Sequence, residues 1–88
     1  PAADPEARAA RAGLALDRGD FEAAAALLAE GPGDHPAVAR LRGRFGLLRH
    51  DAPAAIRAYQ VVLAADPFDR SALFGLGTAL KMVGDDRT

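Results

Sequence analysis

The chain has 88 residues, a formal net charge of −1 and no cysteine, tryptophan or asparagine. That length supports one small domain of modest stability, and the missing cysteines exclude disulfides, thiolate metal sites and cysteine nucleophiles. The near-neutral charge argues against a broad basic face for nucleic acid, so no nucleic-acid partner is expected.

Half of the residues are hydrophobic, but 22 of them are alanine, the best helix former and a small contributor of buried area. The predicted elements are accordingly all helical. A first helix runs from Pro5 to Arg18 and stops at Gly19-Asp20. A second runs from Phe21 to Glu30 and stops at Gly31-Pro32-Gly33, a strong breaker. The third spans Pro36–Arg49, with Val38, Leu41, Phe45 and Leu48 on one stripe at helical spacing. The fourth spans Ala52–Ala65, with Ile56, Tyr59, Val62 and Leu63 on its stripe. The fifth spans Asp69–Val83, carries Leu73, Leu76, Leu80 and Val83, and ends at Gly84. The expected core holds Leu14, Leu28, Val38, Leu41, Phe45, Ile56, Tyr59, Leu63, Leu73 and Leu76.

The prolines disclose a repeat, since Pro5, Pro36 and Pro67 stand 31 residues apart. The same register pairs Gly19 with His50, Asp20 with Asp51, Ala24 with Ala55, Leu28 with Tyr59 and Leu14 with Phe45. Each proline sits at a first helical position, where its missing N–H costs nothing. Asp4, His35 and Asp66 precede the three prolines, and aspartate there suits the positive end of a helix dipole. One domain over 1–88 follows, with units at about 4–34, 35–65 and 66–88, the third incomplete.

Leu73, Leu76-Gly77, Leu80 and Gly84-Asp85 follow in order in the third unit. The second holds Val38, Leu41 and Phe45, then Ala55-x-x-x-Tyr59, then Pro67. In the first are Ala7, Ala10 and Leu14, then Ala24-x-x-x-Leu28, then Pro36. In this series the chain resembles the tetratricopeptide repeat family across nearly its whole length. The resemblance implies an all-α fold, with antiparallel helical hairpins stacked as a short right-handed solenoid of about five helices, two and a half repeats. Three differences stand beside it. The spacing is 31 rather than 34, Arg42 and Arg11 occupy the slot where close packing asks for glycine or alanine, and the third unit stops at its turn.

Little in the chain suggests catalysis, and an enzyme is not expected. His35 and His50 are the only imidazoles. The repeat places them at a helix start and a helix end, without the spacing of metal ligands. The glycines lack a following Gly-Lys-Ser/Thr, and Ser71 has no partner that would make it a nucleophile. No catalytic, cofactor or metal residues are assigned. The basic residues are more suggestive. Arg40 and Arg44 share one flank of the third helix, and Arg42 and Arg49 share the other. They read either as solvated flanks of a buried stripe or as a basic strip for an acidic partner.

The resemblance further implies a concave face built from the leading helices. Carried over by register, that face takes Arg8, Ala12, Ala15 and Leu16 from unit one. Unit two supplies Ala39, Gly43, Gly46 and Leu47 with Arg40 at the edge, and unit three supplies Phe74, Thr78, Lys81 and Met82. Such a floor suits a protein or peptide partner presenting an apolar or acidic helix. The alternative role is structural, because Leu73, Phe74, Leu80 and Val83 would stay partly open on an uncapped last helix. A second copy or an adjoining segment of a longer chain would cover them. The longest apolar run, Ala23 to Ala29, is too short for a membrane span, and no secretory leader is visible. With the absence of cysteine, this predicts a cytoplasmic protein with no membrane partner.

Overall fold

A computed structural model describes residues 4–29 and 35–86. Among the described residues there are five helices: α1 Pro5–Asp17, α2 Phe21–Ala29, α3 Pro36–Leu48, α4 Ala52–Ala65 and α5 Arg70–Asp86. The breaker Gly31-Pro32-Gly33 and Glu30 lie outside the described residues. Four predicted ends move: α1 and α3 each stop one residue early, with Arg18 and Arg49 as their C-caps, and both ends of α5 shift. The fifth helix starts one residue later than Asp69, which caps it, and continues past Gly84 to Asp86.

The helix starts are chemically explicit. Asp4 Oδ1 accepts the Glu6 N–H at 3.0 Å and His35 Nδ1 accepts the Ala37 N–H at 3.2 Å, each just before a proline at the first helical position. Asp20 and Asp51 do the same for α2 and α4, accepting from Ala23 and Ala54 at 3.2 Å.

The two hairpin turns repeat each other. Gly19 and His50 both adopt left-handed backbone, at φ 75° and 55°. The N–H of Gly19 donates to Leu16 O and that of Asp20 to Ala15 O; His50 donates to Leu47 O and Asp51 to Gly46 O. This paired closure satisfies the last carbonyls of α1 and α3 and turns the chain by two residues. His50 therefore stands in a position that glycine fills without strain.

Helix α1 packs on α2, α3 on α4, and α4 on α5, while α3 also touches α1, α2 and α5. The largest core cluster surrounds Tyr59 and Val62 of α4, with Ala39, Ala52, Ala55, Ala72 and Ala79. Two smaller clusters, around Leu28 and Leu16, meet through the half-buried Leu41 and Phe45. The phenol of Tyr59 is the meeting point of three helices. A Cβ added at Gly43 would fall 2.5–2.7 Å from three atoms of its ring, and one at Gly75 would overlap the same end. At Gly46 an added Cβ would stand 3.0 Å from the Ala55 backbone nitrogen.

These close approaches correct the expected core. Leu28, Val38 and Tyr59 are buried, and Leu41, Phe45, Ile56, Leu63 and Leu76 are half-buried. Leu14 and Leu73, however, are 58% and 49% exposed, and Leu48 of the α3 stripe is exposed as well. The buried seam of α3 runs instead through Val38, Ala39, Gly43 and Gly46. Helices approach most closely where side chains are smallest, so the seam follows alanine and glycine and tilts the larger residues to its edges. The small-residue slot is thus Gly43, one residue after Arg42. Its equivalent in α1 is Ala12, fully buried in the cluster that holds Leu28.

Gly43 and Gly77 make a direct test. In a helix interior, alanine is favoured over glycine by about 1 kcal/mol. Gly77 has nothing within 4 Å of an added Cβ, so Gly77→Ala is expected to raise the melting temperature by about 4–8 °C in dilute solution. Gly43→Ala should lower it, because overpacking against Tyr59 costs about 1–3 kcal/mol. Thermal melts that rank the two variants the other way would contradict the packing described.

Candidate functional site

The small-residue groove expected from the leading helices is not an open surface. Ala12, Ala15, Leu16, Ala39, Gly43 and Gly46 are buried between helices, and Arg8, expected at the groove edge, is only 4% exposed. The reason is the seam: residues small enough to floor a groove are also small enough to admit the following helix. Leu47, Thr78 and Met82 are half-buried. Of the expected face, Phe74 and Lys81 on α5 remain exposed, and Arg40 partly so.

The arginines of α3 divide by flank. Arg40 Nη2 donates to Asp69 Oδ2 at 2.5 Å, tying α3 to the start of α5, and Arg44 Nη2 donates to Asp17 Oδ1 at 2.7 Å, tying it to α1. The second pair is largely exposed and contributes little to stability. Asp69 is better placed. The Arg40 guanidinium, followed by the Ala72 N–H that it also accepts, holds its carboxyl below the usual carboxylate range. For Tyr59, burial pushes the phenol above its ordinary value, against an opposing pull from Arg44.

On the opposite flank, Arg42 Nε donates to Leu28 O at 3.0 Å, and its Nη2 donates to the same oxygen. This guanidinium thereby satisfies one of the orphan carbonyls at the end of α2. Arg49 lies over the ring of Phe45, 5.8 Å from its centroid, and that ring meets Phe21 edge-on at 6.2 Å. Helices α2 and α4 both lean on α3 without touching each other. The gap between them is a cleft of about 650 Å³ floored by Arg42, Phe45 and Gly46 of α3 and by its C-cap Arg49. Ala25, Leu28 and Ala29 form one wall, and Ala54, Arg57, Ala58 and Val61 the other, with Asp51 at one end. The role of Arg57 was missed at the level of sequence. The pairing of Leu28 with Tyr59 was the available signal, because it sets α2 and α4 side by side on α3.

A second surface lies on α5. Leu73, Phe74 and Leu80 are 49%, 78% and 53% exposed, as expected for the last helix, whereas Val83 is half-buried against the Tyr59 cluster. Phe68, before α5, is also exposed. The two histidines serve the backbone, His35 as a cap and His50 as a turn residue. Among the described residues no three metal-ligating side chains converge, and no helix is long and apolar enough to cross a membrane. Compared with family models, curated proteins and solved structures, the chain matches none.

The depressed Asp69 titration gives a pH dependence. A carboxylate whose folded pKa is lowered contributes stability above its unfolded value, near 3.8, and loses it as pH falls through the folded value. Asn caps a helix as well as Asp, so Asp69→Asn removes the ion pair and keeps the cap. Urea midpoints of the parent should exceed those of Asp69→Asn at about pH 6 and converge with them at about pH 2. A gap that persists at the lower pH would contradict this account.

Proposed function

We propose that the chain is a non-enzymatic protein-interaction module of the tetratricopeptide type, its hairpins stacked in a short solenoid. It works by receiving a helix along the outer face of α5. The carrying observation is a single face repeated on three helices. Arg8, Ala12 and Ala15 of α1 correspond to Ala39, Gly43 and Gly46 of α3 at the 31-residue spacing, and all six are buried. The turn before α5 is longer, so that the starts of α3 and α5, Pro36 and Arg70, stand 34 residues apart rather than 31. Counted from those starts, the equivalents are Leu73, Gly77 and Leu80 of α5, and all three are exposed. On α3 this face lies under α4; on α5 none of the five helices occupies it.

The fitting occupant is α5 of a second copy. Leu73, Gly77, Leu80 and Gly84 fall on one narrow stripe, with leucine knobs alternating with glycines that have open space above them. About a two-fold axis at the level of Thr78 and Ala79, an antiparallel pair sets Leu73 opposite the partner's Gly84, and Gly77 opposite its Leu80. Ridge meets groove on both sides, which is what an isologous interface requires. Phe74 flanks the stripe and adds aromatic area.

Sedimentation equilibrium tests this. At about 100 µM a dimer is expected, and Leu80→Glu should give a monomer with unchanged far-ultraviolet circular dichroism. A parent chain that is monomeric at that concentration would overturn the reading.

A further inference from the structure

We propose that the cleft between α2 and α4 is a separate binding site for a short acidic peptide segment, its carboxylates held by Arg49 and Arg57. The argument starts from what makes the gap. Both helices rest on α3, and the side chains they turn toward each other are mostly alanine: Ala25 and Ala29 on one wall, Ala54 and Ala58 on the other. Small walls over the Phe45 ring leave an apolar trough of about 650 Å³. That volume falls in the range of ligand sites and admits a short segment rather than a folded domain.

The charges at its mouth select the ligand. The chain as a whole carries −1, yet three guanidiniums line this cleft against the single carboxylate of Asp51. Asp51 is directed to its own helix, accepting the Ala54 N–H at 3.2 Å. Arg42 spends two of its donors on Leu28 O and so stiffens the wall. Arg49 is held against Phe45 with its charge intact. Among the described residues Arg57 has no ion pair. The two arginines on the other flank of α3, Arg40 and Arg44, are committed to Asp69 and Asp17. Arginine grips carboxylates through paired parallel N–H donors. An apolar side chain between two acids would lie on Phe45 and Val61. Alternating acidic and apolar residues are therefore the matching chemistry.

Fluorescence anisotropy with a labelled, end-blocked peptide alternating glutamate and leucine tests the site. The Leu80→Glu variant is the host, so self-association through α5 does not enter. The peptide should bind, and the added change Arg49→Gln with Arg57→Gln should weaken it at least about tenfold, while Arg44→Gln alters it less than about twofold. A glutamine-for-glutamate peptide should bind at least about tenfold more weakly. Equal binding of the two peptides would overturn the proposal, as would indifference to the double change or absence of binding at about 1 mM. Preference for a single-stranded oligonucleotide through the same arginines would overturn it too, and assign the cleft to nucleic acid.

Discussion

The arrangement of the last three helices depends on one aromatic ring seated on two glycines. Tyr59 is the only tyrosine in the chain, and its hydroxyl end meets the backbone of α3 at Gly43 and of α5 at Gly75. Neither approach is possible with a side chain in place of the glycine hydrogen. Glycine in a helix interior costs roughly 1 kcal/mol relative to alanine, and here that cost is offset by burying a large ring against two helices. The surrounding alanines, Ala39, Ala55, Ala72 and Ala79, contribute little area each but let the helix axes come close. Leu28 plays the corresponding part between α1 and α3, on Ala9, Ala12 and Val38.

Much of this was legible in the sequence, and the division between what was and was not is physical. Most helix ends were readable because they rest on local chemistry: a cap, a proline, a two-residue turn with left-handed backbone. Pro67 is the exception, because it stands in the turn before α5 and Asp69 makes the cap. Ala52–Ala65 was predicted to the residue, and the pairing of Gly19-Asp20 with His50-Asp51 returns as two turns with the same hydrogen bonds. Facing was harder. Hydrophobic periodicity weights large side chains, so it aimed α3 through Leu41, Phe45 and Leu48. In a chain this rich in alanine, closest approach is decided by small residues, and the seam runs through Ala39, Gly43 and Gly46. The open groove had a separate source: it was carried over by register from the family resemblance, and residues small enough to floor it admit α4 instead. Gly84 misled for a related reason, since glycine ends a helix only when the turn is made, and here α5 continues through it.

Charge completes the division of labour. Each arginine flank of α3 has a distinct fate, one joining α3 to α1 and α5 through carboxylates, the other facing the gap between α2 and α4. Arg40–Asp69 matters most for the α5 surface, because it fixes where that helix begins and hence how its leucines are presented. Packing and binding surfaces are thus coupled. The glycines that seat Tyr59 set the position of α5. Ala24 and Ala55 pack α2 and α4 into the core, and other alanines of the same helices, Ala25, Ala29, Ala54 and Ala58, leave the cleft between them.

The central claim is the double seat of Tyr59, and nuclear Overhauser spectroscopy in solution reads it most directly. The ring ε protons of Tyr59 should show strong cross-peaks to the α protons of both Gly43 and Gly75, with those α protons shifted by the ring current. Cross-peaks to only one glycine, or to neither, would mean that α3, α4 and α5 do not meet at this ring, and the account would fail.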